Sequence, residues 1–145
     1  MRVLGLDIGA RRIGVAVSDP LGTVATPLKV LDARKLAGDL TPLRRMVEDY
    51  EVDLLVAGLP LTMSGDEGPQ AQEVREKAEE LARALRLPLE MWDERLSTTE
   101  AERSMSASGV SARDSKAAVD MVAAALILQG YLDSRRQRGL DGDAG

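Results

Sequence analysis

Two acidic side chains each stand alone in an apolar stretch, one near each end of the sequence. Asp7 is the only charged residue in residues 3–10, and Asp120 is the only polar residue in residues 117–128. An unpaired carboxylate is costly to bury, so a folded domain keeps one only beside a partner, a hydrogen-bond network or a metal ion. We therefore expect Asp7 and Asp120 to form two halves of one site.

The chain contains neither cysteine nor histidine. This excludes disulfides, ordinary zinc sites and nucleophilic catalysis by a cysteine or by a serine–histidine pair. Any chemistry must therefore use carboxylates, lysine, arginine or hydroxyl groups. Carboxylates without softer ligands beside them favour hard cations, so the expected cofactor is Mg²⁺ or Mn²⁺.

The composition is that of a single globular domain. The chain has 145 residues, of which 44% are hydrophobic and 30% are charged. No stretch approaches the roughly 20 apolar residues of a membrane span. Asp7 interrupts the apolar N-terminal run too early for a secretory signal. We expect a cytoplasmic protein with no membrane partner.

The formal net charge of −5 argues mildly against a nucleic acid partner, because nucleic-acid-binding domains are usually basic. The distribution of charge matters more than its sum, since arginines could gather at one surface while the acids lie elsewhere. Only one tryptophan, two tyrosines and no phenylalanine are present, too few for a platform on which several bases stack. The protein would contact a bound polynucleotide through the sugar–phosphate backbone and not through the bases.

The element pattern predicts an α/β fold in the order β-β-β-α-β-α-β-α-α. Two apolar strands separated by residues 9–12 predict a tight hairpin, and a third β-rich stretch follows them. Thr41 followed by Pro42 predicts a helix N-cap and a first helical residue. The predicted strands cover residues 3–7, 13–18, 23–31, 54–57 and 88–94, and the predicted helices begin near residues 41, 69, 97 and 115.

The last third of the chain combines two predicted helices with a serine-rich segment. Residues 97–100 match a capping box, which predicts the start of a helix. Residues 104–114 are expected to be mobile, and the last helix is expected to run over residues 115–135. Residues 1–138 would then form one domain, with residues 139–145 as a disordered tail.

A strand that ends at Asp7, followed by Gly9 and by a return strand marked by Gly14, resembles the opening of the ribonuclease H-like (RNase H-like) superfamily. The same pattern also resembles the phosphate-binding hairpin of the actin and sugar-kinase group. Proteins of that group need two such domains, whereas this chain has room for one. Size therefore favours the RNase H-like interpretation.

Four motifs narrow the resemblance to the YqgF family, also called RuvX. They follow the order and spacing of the family over residues 1–133. The motifs are DIGARRIGVA (7–16), GLPLTMSG (58–65), DERLSTTEA (93–101) and KAAVD with ILQGYL (116–120 and 127–132). The resemblance implies an RNase H-like mixed sheet of five strands flanked by helices, with the first three strands antiparallel and the last two parallel to the first.

Members of this family are similar in fold to the RuvC-type Holliday junction resolvases and are assigned as nucleases for the 5′ end of pre-16S rRNA. The resemblance therefore implies a metal-dependent nuclease, a hydrolase of ribosome biogenesis, with pre-rRNA and ribosomal precursor particles as partners. Two alternatives stay open: a Holliday junction resolvase acting on branched DNA, and a non-catalytic RNA-binding assembly factor. A resolvase cuts two symmetric strands and so predicts a two-fold homodimer, whereas a monomer also suits the other functions.

The resemblance maps Asp7 and Asp120 onto the catalytic, metal-binding acids of the first strand and last helix. Two Mg²⁺ or Mn²⁺ ions are expected there, to activate water and to stabilise the leaving oxygen. The third acid comes from Asp93 or Glu94, whose side chains point to opposite faces of a strand. The family motif places it at Glu94, which leaves Asp93 as a supporting or capping group.

Arg11 and Arg12 are candidate contacts for nucleic acid phosphates. They occupy the predicted hairpin tip directly after the strand that carries Asp7. A hairpin tip is also a common place for solvated arginines, so a surface role is the alternative.

Arg95 and Lys116 are two further candidates for phosphate binding. Arg95 could contact the scissile phosphate or only neutralise Asp93. Lys116 lies one helical turn before Asp120, so it could instead be the ion-pair partner of that carboxylate.

Overall fold

The computed structural model describes residues 1–96 and 116–142 of the chain and, in the last helix, the side chains of residues 119–139. A five-stranded sheet lies at its centre in the order β3-β2-β1-β4-β5. Its first three strands pair antiparallel, β4 is parallel to β1, and β5 is parallel to β4, which confirms the predicted fold class. The strands are β1 (Val3–Ile8), β2 (Arg12–Ser18), β3 (Ala25–Asp32), β4 (Leu54–Leu59) and β5 (Leu89–Asp93).

Helices cover both faces of the sheet. One apolar core joins three helices to one face, and a second core joins the last helix to the other face. The helices are α1 (Ala33–Gly38), α2 (Thr41–Asp49), α3 (Pro69–Leu85) and α4 (Lys116–Gly142), with a 3₁₀ turn over Glu94–Leu96. Among the described helices, the last one is therefore alone on its side of the sheet.

Side-chain alternation along β1 divides this strand between the two cores. Leu4 and Leu6 belong to the core shared with α1, α2 and α3, whereas Val3 belongs to the core shared with α4. Successive side chains of a strand point to opposite faces, so Gly5 and Asp7 lie on the same face as Val3. The lone carboxylate of β1 is thus directed toward α4.

The segment between β3 and α2 differs from the prediction. A short helix, α1, follows β3 directly, because the side chain of Asp32 accepts hydrogen bonds from the backbone amides of Arg34 and Lys35. Thr41 was expected as the N-cap of α2, but it is the first helical residue, and the carboxylate of Asp39 accepts its backbone N–H at 3.0 Å. In both places an aspartate carboxylate accepts backbone N–H groups at the start of a helix.

Two predicted boundaries in the second half of the chain also differ. β5 ends at Asp93, so Glu94 begins the 3₁₀ turn instead of ending the strand. The last helix continues to Gly142, past the predicted end at residue 135, so the backbone of residues 139–142 is helical where a disordered tail was expected. Residues 143–145, the predicted helix start at 97–100 and the predicted mobile segment lie outside the described residues. Within the described ranges, no helix combines the length and apolar character that crossing a membrane requires.

Glycines on the sheet allow α4 to approach it very closely. A Cβ atom placed on Gly5 would lie 2.7 Å from Cβ of Leu128, and one placed on Gly14 would lie 2.1 Å from the backbone oxygen of Asp120. The second distance is to backbone, which cannot move aside as a flexible side chain can. Gly14 therefore sets how closely the N-terminal part of α4 approaches the sheet.

Replacing Gly14 by alanine should displace α4. We expect Gly14→Ala to lower the free energy of unfolding by about 3 kcal/mol, since the added methyl group overpacks a backbone contact. Urea denaturation followed by circular dichroism measures this change. Gly38→Ala is the matched control, because no described atom lies within 4 Å of a Cβ at that position. Equal stabilities of the two variants would contradict the close contact.

Candidate active site

Asp7 is the central acid of the candidate site. It lies on the α4 face of β1, half-buried, directly opposite Gly14 in the pairing of β1 with β2. Burial raises the pKa of its carboxyl above the ordinary value, and repulsion from Asp120 raises it further. The surroundings of Asp7 in the folded protein therefore disfavour its charged form.

Asp120 approaches the sheet from α4. Its backbone oxygen lies against Gly14, and it shares one helix face with the fully buried Ala124 and Leu128, at successive steps of four residues. Oδ2 of Asp120 accepts a hydrogen bond from Nε of Arg12 at 2.6 Å. This carboxylate thus interacts with residues on both sides of the β1–β2 turn: Asp7 repels it and Arg12 binds it.

Glu94 completes the group from the opposite side of Asp7. It follows β5, and its side chain lies over Gly58, where an added Cβ would come within 2.6 Å of Oε1 of Glu94. Burial raises the pKa of Glu94, with further contributions from repulsion by Asp7 and by Asp93. A glycine on the sheet therefore makes room for this acid as well.

Asp93 serves a different purpose from its neighbour Glu94. Its carboxylate accepts the backbone N–H of Arg95 at 2.9 Å and the guanidinium of the same residue at 2.8 Å. The hydrogen bond from the guanidinium lowers the pKa of Asp93. Arg95 also donates to the backbone oxygen of Met63 at 3.2 Å, so this ion pair ties the loop after β4 to the end of β5. Asp93 thus caps the 3₁₀ turn through Arg95.

The structure brings together three of the predicted site acids and one predicted base. In addition to burial, repulsion from Asp120 raises the pKa of Asp7, repulsion from Asp7 raises that of Glu94, and Arg12 contacts Asp120. Arg11 is exposed at the hairpin tip, where its backbone oxygen accepts the N–H of Ala33. Arg95 is bonded to Asp93, and the side chain of Lys116 lies outside the described residues. The roles of these four bases toward nucleic acid stay predictions.

The chemistry of this donor set fits a hard divalent cation. All three acids offer carboxylate oxygens, and burial together with mutual repulsion raises the pKa values of Asp7 and Glu94, which a bound cation would counteract. In residues 1–96 and 116–139, however, no three acids are arranged closely enough to hold a metal ion as they stand. Asp120 is engaged with Arg12, so its carboxylate would have to turn toward Asp7 to join the other two.

Two features of the site cannot be predicted from the sequence. Among the described side chains, the partner of Asp120 is Arg12, which lies 108 positions away along the chain, and no local pattern connects the two. The spaces that Gly14 and Gly58 provide are also visible only once α4 and the 3₁₀ turn are in place. Glycines inside predicted strands were the one available signal, because they often mark a close approach of another group.

Asp7→Asn should raise the melting temperature by a few degrees at neutral pH in buffer that contains a chelator. A carboxyl with a raised pKa contributes stability that is present at low pH and is lost as the pH rises through the pKa of the folded protein. The gain from the substitution should therefore shrink as the pH falls through the raised pKa of Asp7, where the carboxyl takes up a proton. Thermal melts at several pH values measure this trend.

Asp49→Asn is the control for that experiment, because Asp49 is exposed at the end of α2. It should change the melting temperature little at any pH. A lower melting temperature of Asp7→Asn at neutral pH would show that the Asp7 charge stabilises the fold.

Comparison with known sequences identifies close relatives over almost the whole chain. Residues 1–134 match a family model described as "RuvX: Holliday junction resolvase". A protein of Clostridium novyi is 46% identical over 134 residues, which cover 92% of this chain and 99% of the relative. A protein of Moorella thermoacetica is 46% identical over 140 residues, which cover 97% and 100%. Both relatives carry the name "Putative pre-16S rRNA nuclease".

Solved structures with a similar fold include two Holliday junction resolvases. RuvC of T. thermophilus, solved in complex with a Holliday junction substrate, matches with a TM-score of 0.61 and 14% identity, over 93% of this chain and 96% of RuvC. The yeast mitochondrial resolvase Ydc2 matches with a TM-score of 0.60 and 12% identity, over 93% and 79%. At such low identity the likeness concerns the fold, and it agrees with the RNase H-like sheet expected from the sequence.

Proposed function

This chain belongs to the RuvX family, and we propose that it is a metal-dependent nuclease that hydrolyses phosphodiester bonds in the 5′-end processing of pre-16S rRNA. The observation that carries this proposal is the convergence of Asp7, Glu94 and Asp120 from β1, the end of β5 and α4. The names of the relatives support the rRNA substrate. Such work would take place in the cytoplasm, on precursor RNA or on ribosomal precursor particles.

Asp7, Glu94 and Asp120 would hold Mg²⁺ or Mn²⁺. Two such ions, when bound, supply an activated water and stabilise the leaving oxygen of the phosphodiester. The protein contributes fixed carboxylates: Asp7 is held by the sheet, and Glu94 is held against Gly58. Because the chain has no histidine or cysteine, no imidazole or thiol can act as the base or the nucleophile. Arg11 and Lys116 are proposed to contact phosphates beside the acids.

Cleavage of Holliday junctions is the second candidate activity. The description of the family and the fold shared with RuvC favour it. The same acids would serve both reactions, so the substrate and the oligomeric state separate them. A resolvase would form a stable two-fold dimer, whereas an rRNA nuclease could also act as a monomer. A third possibility, a non-catalytic RNA-binding factor, predicts no cleavage of either substrate.

Cleavage assays with Mg²⁺ or Mn²⁺ test the proposal directly. The wild-type protein is expected to shorten a transcript that carries the 5′ precursor segment of 16S rRNA, and to leave a four-way DNA junction intact. Asp7→Asn should reduce the rate by about a hundredfold or more, because it removes the central metal-binding carboxylate. Asp49→Asn should cleave at the wild-type rate.

Each other outcome of these assays has a definite meaning. Symmetric cutting of the junction by a dimer would favour the resolvase. Absence of cleavage of both substrates at every metal concentration would refute the nuclease. Full activity of Asp7→Asn would place the chemistry elsewhere on the protein.

Comparison of Glu94→Gln with Asp93→Asn tests which acid binds metal. Glu94→Gln should weaken Mn²⁺ binding by about tenfold or more, whereas Asp93→Asn should change it by less than about threefold. The reason is that Asp93 is already bonded to Arg95, while Glu94 is close enough to Asp7 for repulsion to raise its pKa. Isothermal titration calorimetry measures both affinities. The reverse ranking would assign Asp93 as the ligand.

A further inference from the structure

We infer that Arg12 and the divalent cation compete for Asp120, so that Arg12 is a positioning residue whose guanidinium must leave this carboxylate before the metal site closes. The inference rests on the proposed function, because it concerns the same three acids. It adds a role that neither the sequence motifs nor the names of the relatives assign to Arg12.

The contact between the two side chains is direct. Nε of Arg12 lies 2.6 Å from Oδ2 of Asp120, and the two side chains are 41% and 25% exposed. Hydrogen bonds between two ionised groups are shorter and stronger than those between neutral groups. Arg12 therefore determines where the Asp120 carboxylate points in the described structure.

The charges around Asp120 explain why a cation and Arg12 exclude each other. The backbone oxygen of Asp120 lies against Gly14, which is directly opposite Asp7 in the pairing of β1 with β2, so the two acids lie near each other and need a positive charge close to them. Arg12 supplies one such charge, and a divalent cation would supply two. Binding both to one carboxylate would place like charges within a few ångströms of each other, where repulsion is strong. Only one of the two is expected to stay in contact.

Arg12 also has another partner within reach. It is the first residue of β2 and lies directly opposite Asp32 of β3, so both side chains project from the same face of the sheet. Asp32 is exposed and accepts the N-cap hydrogen bonds of α1 through Oδ1. Its second carboxylate oxygen can receive the guanidinium after release from Asp120. The partly exposed arginine can therefore change partners without unfolding any element.

Titration of the full-length protein with Mn²⁺ alone tests this competition. Isothermal titration calorimetry is carried out in chelator-treated buffer on the wild-type protein, on Arg12→Gln and on Arg45→Gln. Arg12→Gln should bind Mn²⁺ about fivefold more tightly than the wild type, because no ion pair has to be broken first. Arg45→Gln should bind within about twofold of the wild type, since it removes the same charge from an exposed position of α2, on the opposite face of the sheet.

The same titration in an Asp120→Asn background separates competition from general repulsion. Competition at Asp120 predicts that Arg12→Gln gives no further gain when Asp120 is already replaced, as a double-mutant cycle measures. A gain that persists there would mean that Arg12 only repels cations from a distance, and it would overturn the inference. Thermal melts of all variants verify that each protein is folded at the temperature of the titration.

Failure of the inference and failure of the proposed function give different results. If the wild type binds Mn²⁺ and Arg12→Gln binds with equal or lower affinity, the ion pair is only structural and the inference fails alone. If neither protein binds Mn²⁺, the metal site itself is refuted, together with the inference. Binding by Arg12→Gln without binding by the wild type would be the strongest support for competition.

Discussion

The close packing of α4 on the sheet is the constraint on which the rest of the site depends. Hydrogen atoms stand where side chains would be at Gly5 and Gly14, so the helix backbone comes nearer to the strands than larger residues would permit. Asp120 lies at this contact and is thereby brought within the influence of Asp7 and Arg12. A shift of the helix away from the sheet would separate the acids and open the apolar core beneath α4.

This packing brings acidic side chains close to one another at one end of the sheet, where their repulsion is unfavourable. Burial disfavours the charged forms of Asp7 and Glu94, repulsion from neighbouring acids adds to this effect, and both carboxyls have raised pKa values as a result. An arginine offsets part of the repulsion through Asp120. Acids with shifted pKa values often lie in functional sites, because a bound cation or substrate can offset the unfavourable burial and repulsion of their charges. The stability of this protein and its proposed chemistry therefore depend on the same few side chains.

Much of the fold follows from the sequence, and the exceptions share a physical cause. Apolar strands, a long amphipathic helix at residues 69–85 and the order of elements are visible because periodicity and capping signals act locally. The short helix α1 and the early end of β5 were not predicted, since Asp32 and Asp93 act there as caps. The same residues are also compatible with strands and loops, and long-range pairing decides between these states.

The sequence by itself determined which chemistry is available and which acids are candidates, because residue types and the isolation of Asp7 and Asp120 in apolar stretches can be read without coordinates. Tertiary structure decided how those acids are paired. Arg12 meets Asp120 across 108 positions only after β2 and α4 have packed together, and Glu94 reaches the site because Gly58 leaves space beside it. Contacts of this kind depend on distances between elements, and no local pattern of residues encodes such distances.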